Sequence, residues 1–276
     1  MYGAIIGDIV GSAYEFHNIK TKGFPLFSSQ CDYTDDSLMT IAVAQALVDP
    51  WADLEGFKKN LVRSMQAMGR AYPYPTGAYG GRFSAWLRSP DPQPYGSFGN
   101  GSAMRVSPCG LYAGTLEEAL TLAKASAEVT HDHPEGIKGA QAVAAAIFLA
   151  RTGSRKTEIQ TYIRENFYPL EQTLDEIRPN YRFDESCQGT VPQAIQAFLE
   201  AASFEDAIRN AVSLGGDSDT LAAITGSIAW SYYRTQNGDR PTESMEHIRA
   251  SAASYLPSDL AAFVDIFPSL CRLKQI

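Results

Sequence analysis

Helical periodicity runs through almost the whole of this chain and leaves room for little besides helix packed on helix. Residues 37–48 are apolar on most faces and read as a buried helix. Residues 54–68 place Phe57, Leu61, Met65 and Met68 in one stripe. Residues 116–129, 139–151, 156–167, 191–201, 204–213, 220–233 and 257–273 are helix-like in the same way, and strand-type alternation is nearly absent. Stretches 140–150 and 221–233 are rich in Ala, Gly and Ser, which lets helix axes approach closely at the centre of a multi-helix domain. Pro, Gly and Tyr mark loops at 73–81 and 89–101, and 180–189 reads as irregular. No linker, charge block or repeat divides the chain, so a single all-α domain over residues 1–276 is expected.

Composition narrows the function classes. Hydrophobic residues are 45% and charged residues 20%, enough to bury a full core and too apolar for a disordered chain. The charge balance is 23 − 31 = −8. Such a chain is a poor general binder of nucleic-acid backbones or anionic membranes, and it has carboxylates to spare for cations. Cys31, Cys109, Cys187 and Cys271 form no CxxC pair and read as small buried residues in a reducing compartment. The first residues lack a basic region and Asp8 interrupts their apolar run, unlike a signal peptide. The longest apolar-leaning stretches fall short of the roughly 20 residues of a membrane span. A cytoplasmic protein is expected.

Two short segments stand out. Thr34-Asp35-Asp36-Ser37 precedes one buried helix, and Gly215-Gly216-Asp217-Ser218-Asp219-Thr220 precedes another. Thr, Ser and Asp are preferred N-caps, and acids suit the positive end of a helix, so capping accounts for either segment alone. Capping needs one oxygen, however, and each segment offers two carboxylates. If the two helix starts converge, four carboxylates meet, and like charges about 4 Å apart repel by roughly 4 kcal/mol. A bound cation offsets that cost. All-oxygen ligands favour Mg²⁺, Mn²⁺ or Ca²⁺ over zinc, and two such clusters suit a metal pair.

Three further segments carry weaker signals. Were residues 7–16 helical, Gly7 and Gly11 would share a face, a spacing that marks close packing, and Asp8 and Glu15 would point one way. Residues 95–105, Tyr-Gly-Ser-Phe-Gly-Asn-Gly-Ser-Ala-Met-Arg, form a glycine-rich loop suited to an anion but matching neither the dinucleotide fingerprint nor the P-loop. Thr130-His131-Asp132-His133 places two histidines at i, i+2, unspecific for a metal.

Taken in order, Gly7-Asp8, Gly11, Glu15, Thr34-Asp35-Asp36-Ser37, residues 99–105, Thr130-His131 and Gly215 to Thr220 resemble the ADP-ribosylglycohydrolases, from about residue 3 to residue 233. That resemblance implies a compact all-α fold with two Mg²⁺ (or Mn²⁺) ions at the bottom of a cleft. It implies Thr34, Asp35 and Asp36 as ligands from one side and Asp217, Asp219 and Thr220 from the other, with the ions against the distal ribose. Gly80 and Gly81, with Ser97, Gly99, Asn100, Gly101, Ser102 and Met104, match the segments that cradle the diphosphate. Phe98 and His131 match the adenosine end. Glu15 matches a mobile glutamate of the serine-hydrolase branch. The arginine-specific nitrogenase-type enzymes carry an extra aspartate before the phosphate segment, and residues 72–81 here contain no acid.

The implied activity is metal-dependent release of ADP-ribose from a modified protein or small-molecule conjugate, by a monomer, with Glu15, Asp35 and Asp36 as the acid/base candidates. A modified nucleic-acid end is the only nucleic-acid substrate this allows. Other linkages remain open, including arginine and O-acetyl-ADP-ribose. So do an HD-type phosphohydrolase built on His17, His131-Asp132 and Asp217, and an ADP-ribose reader without turnover.

Overall fold

The computed structural model describes residues 1–273, which form helices around one hydrophobic core. The chain begins with α1 (Tyr2–Ser12) and, after a long loop, α2 (Asp35–Val48) and α3 (Leu54–Ala71). Three shorter helices, α4 (Gly81–Arg88), α5 (Gly101–Met104) and α6 (Ser107–Tyr112), lead to α7 (Leu116–Glu128) and α8 (Pro134–Arg151). Next come α9 (Lys156–Asn166), the single turn α10 (Leu174–Ile177), α11 (Cys187–Leu199) and α12 (Phe204–Val212). Then α13 (Ser218–Gln236) crosses the core, followed by α14 (Glu243–Ala253) and α15 (Ser258–Leu273). Among the described residues there is no strand; isolated bridges pair Thr34 with Thr76 and Gly99 with Ser186. No described helix is long and apolar enough to cross a membrane. All four cysteines are buried.

The centre of the fold is an antiparallel pair, α1 against α13. Every residue of α1 from Gly3 onward is buried, as is every residue of α13 through Ser231. The pair has almost no space between its backbones. A Cβ on Gly3 would collide with the Gly226 carbonyl, on Gly7 with that of Ala222, and on Gly11 with that of Ser218. The contacts ascend along α1 by four and descend along α13 by four. This is the ridge that the Gly7 and Gly11 spacing suggested, extended by one turn to Gly3.

All the helices expected from periodicity are present, with shifted ends. The first turn of α8 begins at Pro134, five residues before its apolar face, with His133 capping the Glu135 amide. Likewise α11 begins at Cys187 rather than 191, capped by Ser186, and runs through Pro192. The periodicity did not show α1, α4, α5, α6, α10 or α14. Of these, α1 is apolar all round and has no stripe, and α14 buries only Met245, Ile248 and Ala252.

Candidate active site

The pairing of α1 with α13 places Asp8 beside the start of α2. Its carboxylate, fully buried, accepts from the Thr34 amide at 3.0 Å, the Thr34 hydroxyl at 2.7 Å and the Ser37 amide at 3.1 Å. The Thr34 hydroxyl in turn caps α2 by accepting from the Asp36 amide at 3.1 Å. From the other side, the Thr220 hydroxyl donates to the Asp36 carboxylate at 3.1 and 3.3 Å. The two acidic helix starts therefore converge. The turn into α13 is held by Gly215 and Gly216, both at positive φ (68° and 73°), a region that favours glycine. Asn18 fixes this turn, donating to the Gly216 carbonyl at 2.9 Å and accepting from its amide at 2.7 Å.

Six acids line one cleft of about 540 Å³: Glu15, Asp35, Asp36, Glu185, Asp217 and Asp219. Oxygens of Glu15, Asp217 and Asp219 lie within 4.8 Å of one another. Asn100 donates to Asp217 at 2.6 Å, whereas Asp219 Oδ1 is buried with no partner. Burial, and after it the neighbouring carboxylates Asp219, Asp8 and Glu185, pushes Glu15 up to about 8. Burial raises Asp8 and Asp217 to about 6, against the hydrogen bonds that each accepts. Asp35 and Asp36 stand well above the usual carboxylate range because of burial and the charges of Asp219 and Asp8. Asp219 does so because of burial and Asp217. A set of converging, all-oxygen ligands with an orphaned buried oxygen fits a hard divalent cation.

The opposite wall is the glycine-rich loop. It is anchored by the Asn100 amide donating to Glu185 at 2.7 Å and the Cys187 amide donating to Phe98 at 2.9 Å. Gly80, Gly81, Ser97, Gly99, Asn100, Gly101, Met104 and His131 line the cleft. His131 is set by a relay. Arg105, 1% exposed, donates to the Thr130 hydroxyl at 2.8 Å, and that hydroxyl lies 2.6 Å from His131 Nδ1. The Thr130 hydroxyl thus couples the Arg105 guanidinium to Nδ1, leaving Nε2 as the ring nitrogen outside that relay. That atom faces the positions where Cβ atoms on Gly99 and Gly101 would sit. Burial, with Arg105 and Arg82 behind it, holds His131 well below its ordinary value and hence neutral.

Three expected site residues do not line the cleft. Thr34 is buried beneath it, its hydroxyl engaged by Asp8 and Asp36. Ser102 is wholly buried and donates to the Gly136 carbonyl at 2.7 Å. Phe98 is half exposed and packs its ring on His133, 5.4 Å away. The HD arrangement does not assemble: His17 is exposed, Asp132 accepts from the Gly96 amide at 2.6 Å, and neither lines the cleft. Conversely, Tyr79, Arg82, Tyr95, Phe183 and Glu185 line it without having been singled out. Arg82 lies over the Tyr95 ring at 4.7 Å, but it belongs to α4, which left no periodic trace.

The all-helical fold thus sets an acid-floored cleft against a glycine-rich opposite wall, the form of a hydrolase site. The chain belongs to the ADP-ribosylglycohydrolase family, whose model matches residues 1–256, and it is a hydrolase acting on the glycosidic bond of ADP-ribose. It is 25% identical over 312 residues to the ADP-ribosylhydrolase ARH3 of Mus musculus, covering 84% of this chain and 82% of that one. It is 27% identical over 260 residues to the ADP-ribosylarginine hydrolase Tri1 of Pseudomonas putida, covering 84% and 69%. A solved structure, of an ADP-ribosylglycohydrolase-related protein complex, shares the fold with a TM-score of 0.62 at 21% identity over 98% of both chains.

Proposed function

We propose that this chain removes ADP-ribose from serine side chains of modified proteins, with Mg²⁺ at the acidic cluster. The observation that carries the reading is the convergence of the α2 and α13 starts on one cleft that Glu15 also enters. Asp35, Asp36, Asp217, Asp219 and the hydroxyl of Thr220 are the groups that would hold two ions, with Thr34 seating the α2 start beneath them. Bound there, divalent cations supply Lewis acidity and orient the ribose hydroxyls.

The chain's own residues do the rest. The loops at Gly80-Gly81 and Ser97 to Gly101 offer backbone amides to the diphosphate, apart from those of Gly99 and Asn100, which donate to Ser97 Oγ and the Glu185 carbonyl. His131 Nε2 lies beside Gly99 and Gly101. Glycosidic cleavage passes through an oxocarbenium-like state and needs one group to protonate the departing oxygen and one to take a proton from water. Glu15, Asp35 and Asp36, all lining the cleft, are the acid/base candidates. Support for serine over arginine comes from the loop opposite. Gly77 to Gly81 line the cleft without an acid to receive a guanidinium. Gly77, at φ 79°, also leaves room for Glu15, whose Oε2 would lie 3.1 Å from a Cβ there.

The test is ADP-ribose release from matched serine-linked and arginine-linked peptides, with Mg²⁺ and with a chelator. Chelator-sensitive release from the serine peptide is expected, and Asp217→Asn should abolish it. Release from the arginine peptide alone would reassign the linkage, in line with the name of the Pseudomonas putida relative. Full turnover in chelator would remove the metal from the mechanism.

A further inference from the structure

The two glycine segments of the cleft wall are joined by one side chain. Arg82 follows Gly80-Gly81 directly, at the second position of α4, and its guanidinium lies over the Tyr95 ring at 4.7 Å and donates to the Tyr95 carbonyl. Tyr95 opens the second segment, and its ring is 6.0 Å from that of His131. Arg82, Tyr95 and His131 thus run as one stack along the wall, and all three line the cleft. What sets Arg82 apart is what it leaves unspent. Tyr95 takes one N–H of the guanidinium fork, the rest donate to no described residue, and no described carboxylate pairs with it. The side chain is exposed, so a ligand in the cleft can touch it. Arg105 is the one other arginine or lysine lining the cleft among the described residues, and at 1% exposed it acts through its field alone.

The surroundings select the group that Arg82 meets. A planar fork of N–H donors matches the paired oxygens of a phosphate. Beside it, α4 starts at Gly81 with no side-chain cap, and a Cβ on Gly80 or Gly81 meets nothing within 4 Å, so the first amides of this helix stand clear of the protein. On the facing segment the supply of amides is thinner, since those of Gly99 and Asn100 are already bound to Ser97 Oγ and the Glu185 carbonyl. Amides carry no net charge in any case, and six acids floor the same cleft. A dianion entering it needs a counter-charge on the glycine wall, and Arg82 is the cation there that it can touch. We propose that Arg82 pairs with the diphosphate of ADP-ribose where the two glycine segments meet, and is the residue by which the cleft selects a diphosphate over a neutral nucleoside. The proposal rests on the ADP-ribose part of the function proposed above, and on neither its linkage nor its metal.

The experiment titrates the whole protein, Arg82→Gln and Arg82→Lys with ADP-ribose and with adenosine in a calorimeter, at about 50 mM and about 500 mM NaCl. Arg82→Gln should weaken ADP-ribose binding about tenfold or more at the lower salt, the loss of a charge-assisted pair. The loss should shrink at the higher salt, because an exposed charge is screened. Adenosine binding should stay within about twofold of the parent. Arg82→Lys keeps the charge without the fork and should recover part of the ADP-ribose affinity. A mere brace on Tyr95 would behave otherwise, lowering the melting temperature and weakening both ligands alike. Arg82→Gln should instead melt within about 2 °C of the parent. A Gln variant that binds ADP-ribose undiminished, or loses both ligands equally, would overturn the proposal, as would a Lys variant that recovers nothing. A parent that does not bind ADP-ribose would overturn it together with the function above. Binding without release from the serine peptide would overturn the linkage alone and leave Arg82 to be judged by its own variants.

Discussion

Asp8 accepts three hydrogen bonds at the first turn of α2, and each donor is buried with it. Asp8→Ala strands those donors. A cost of about 2–4 kcal/mol is expected from urea unfolding, along with loss of turnover as Asp35 and Asp36 lose their placement. Asp219 behaves in the opposite sense. Its Oδ1 has no partner and its neighbours are carboxylates, so in the absence of a cation it opposes folding. Asp219→Asn should therefore gain about 1 kcal/mol in chelator and lose most of the Mg²⁺-induced rise in melting temperature. A variant that is less stable in chelator would show that Asp219 serves the fold and not a ligand. The same contrast explains which residues could be read in advance. Asp35, Asp36, Asp217 and Asp219 stood out because two carboxylates exceed what a cap requires. Asp8 was weighed only as a neighbour of Glu15, because its partners lie 26 and 29 residues away and nothing local reveals them.

At the scale of the element, the decisive unit is α1 on α13. Gly7→Ala would drive a methyl into the Ala222 carbonyl, where backbone and not a flexible side chain must move. A destabilisation of about 3 kcal/mol or more is expected, with activity falling as α1 carries Asp8 away from α2. Gly81→Ala makes the comparison, since a Cβ there meets nothing within 4 Å. Its stability should stay within about 0.5 kcal/mol of the parent. If its KM for the ADP-ribosylated peptide rises nonetheless, backbone approach at this loop is confirmed. The small-residue character of α13 was legible in its Ala, Gly and Ser content. The helix α1 was legible only through its Gly7 and Gly11 spacing, and its end was not: it stops at Ser12, so Glu15 lies beyond the helix that carries Asp8. Two starts were displaced because a capped first turn precedes the apolar face, at Pro134 and at Cys187 behind Ser186.

For the whole molecule, the acidic floor links pH, cation and stability. Asp8 and Asp217 sit near 6 and Glu15 near 8 in the folded chain, above their ordinary values near 4. Between about pH 4 and 8 the folded state thus holds protons that the unfolded chain has released, so without a cation stability falls as pH rises. A divalent ion displaces those protons and binds more tightly as pH rises. The Mg²⁺-induced increase in melting temperature should accordingly be larger at pH 8 than at pH 6; equal increases at both would remove the carboxylates from the linkage. The α1–α13 seam also has a consequence in time. The bond from Ser218 to the Gly11 carbonyl joins residues 207 apart, at 3.1 Å. At roughly 5–20 residues per second of synthesis, a nascent chain carries α1 for about 10–40 s before its partner helix exists. Until then Asp8 and the α2 acids have no opposing wall, so the acidic cleft is born late and all at once. During that interval the unpartnered glycine face of α1 is the surface that a ribosome-bound chaperone would meet.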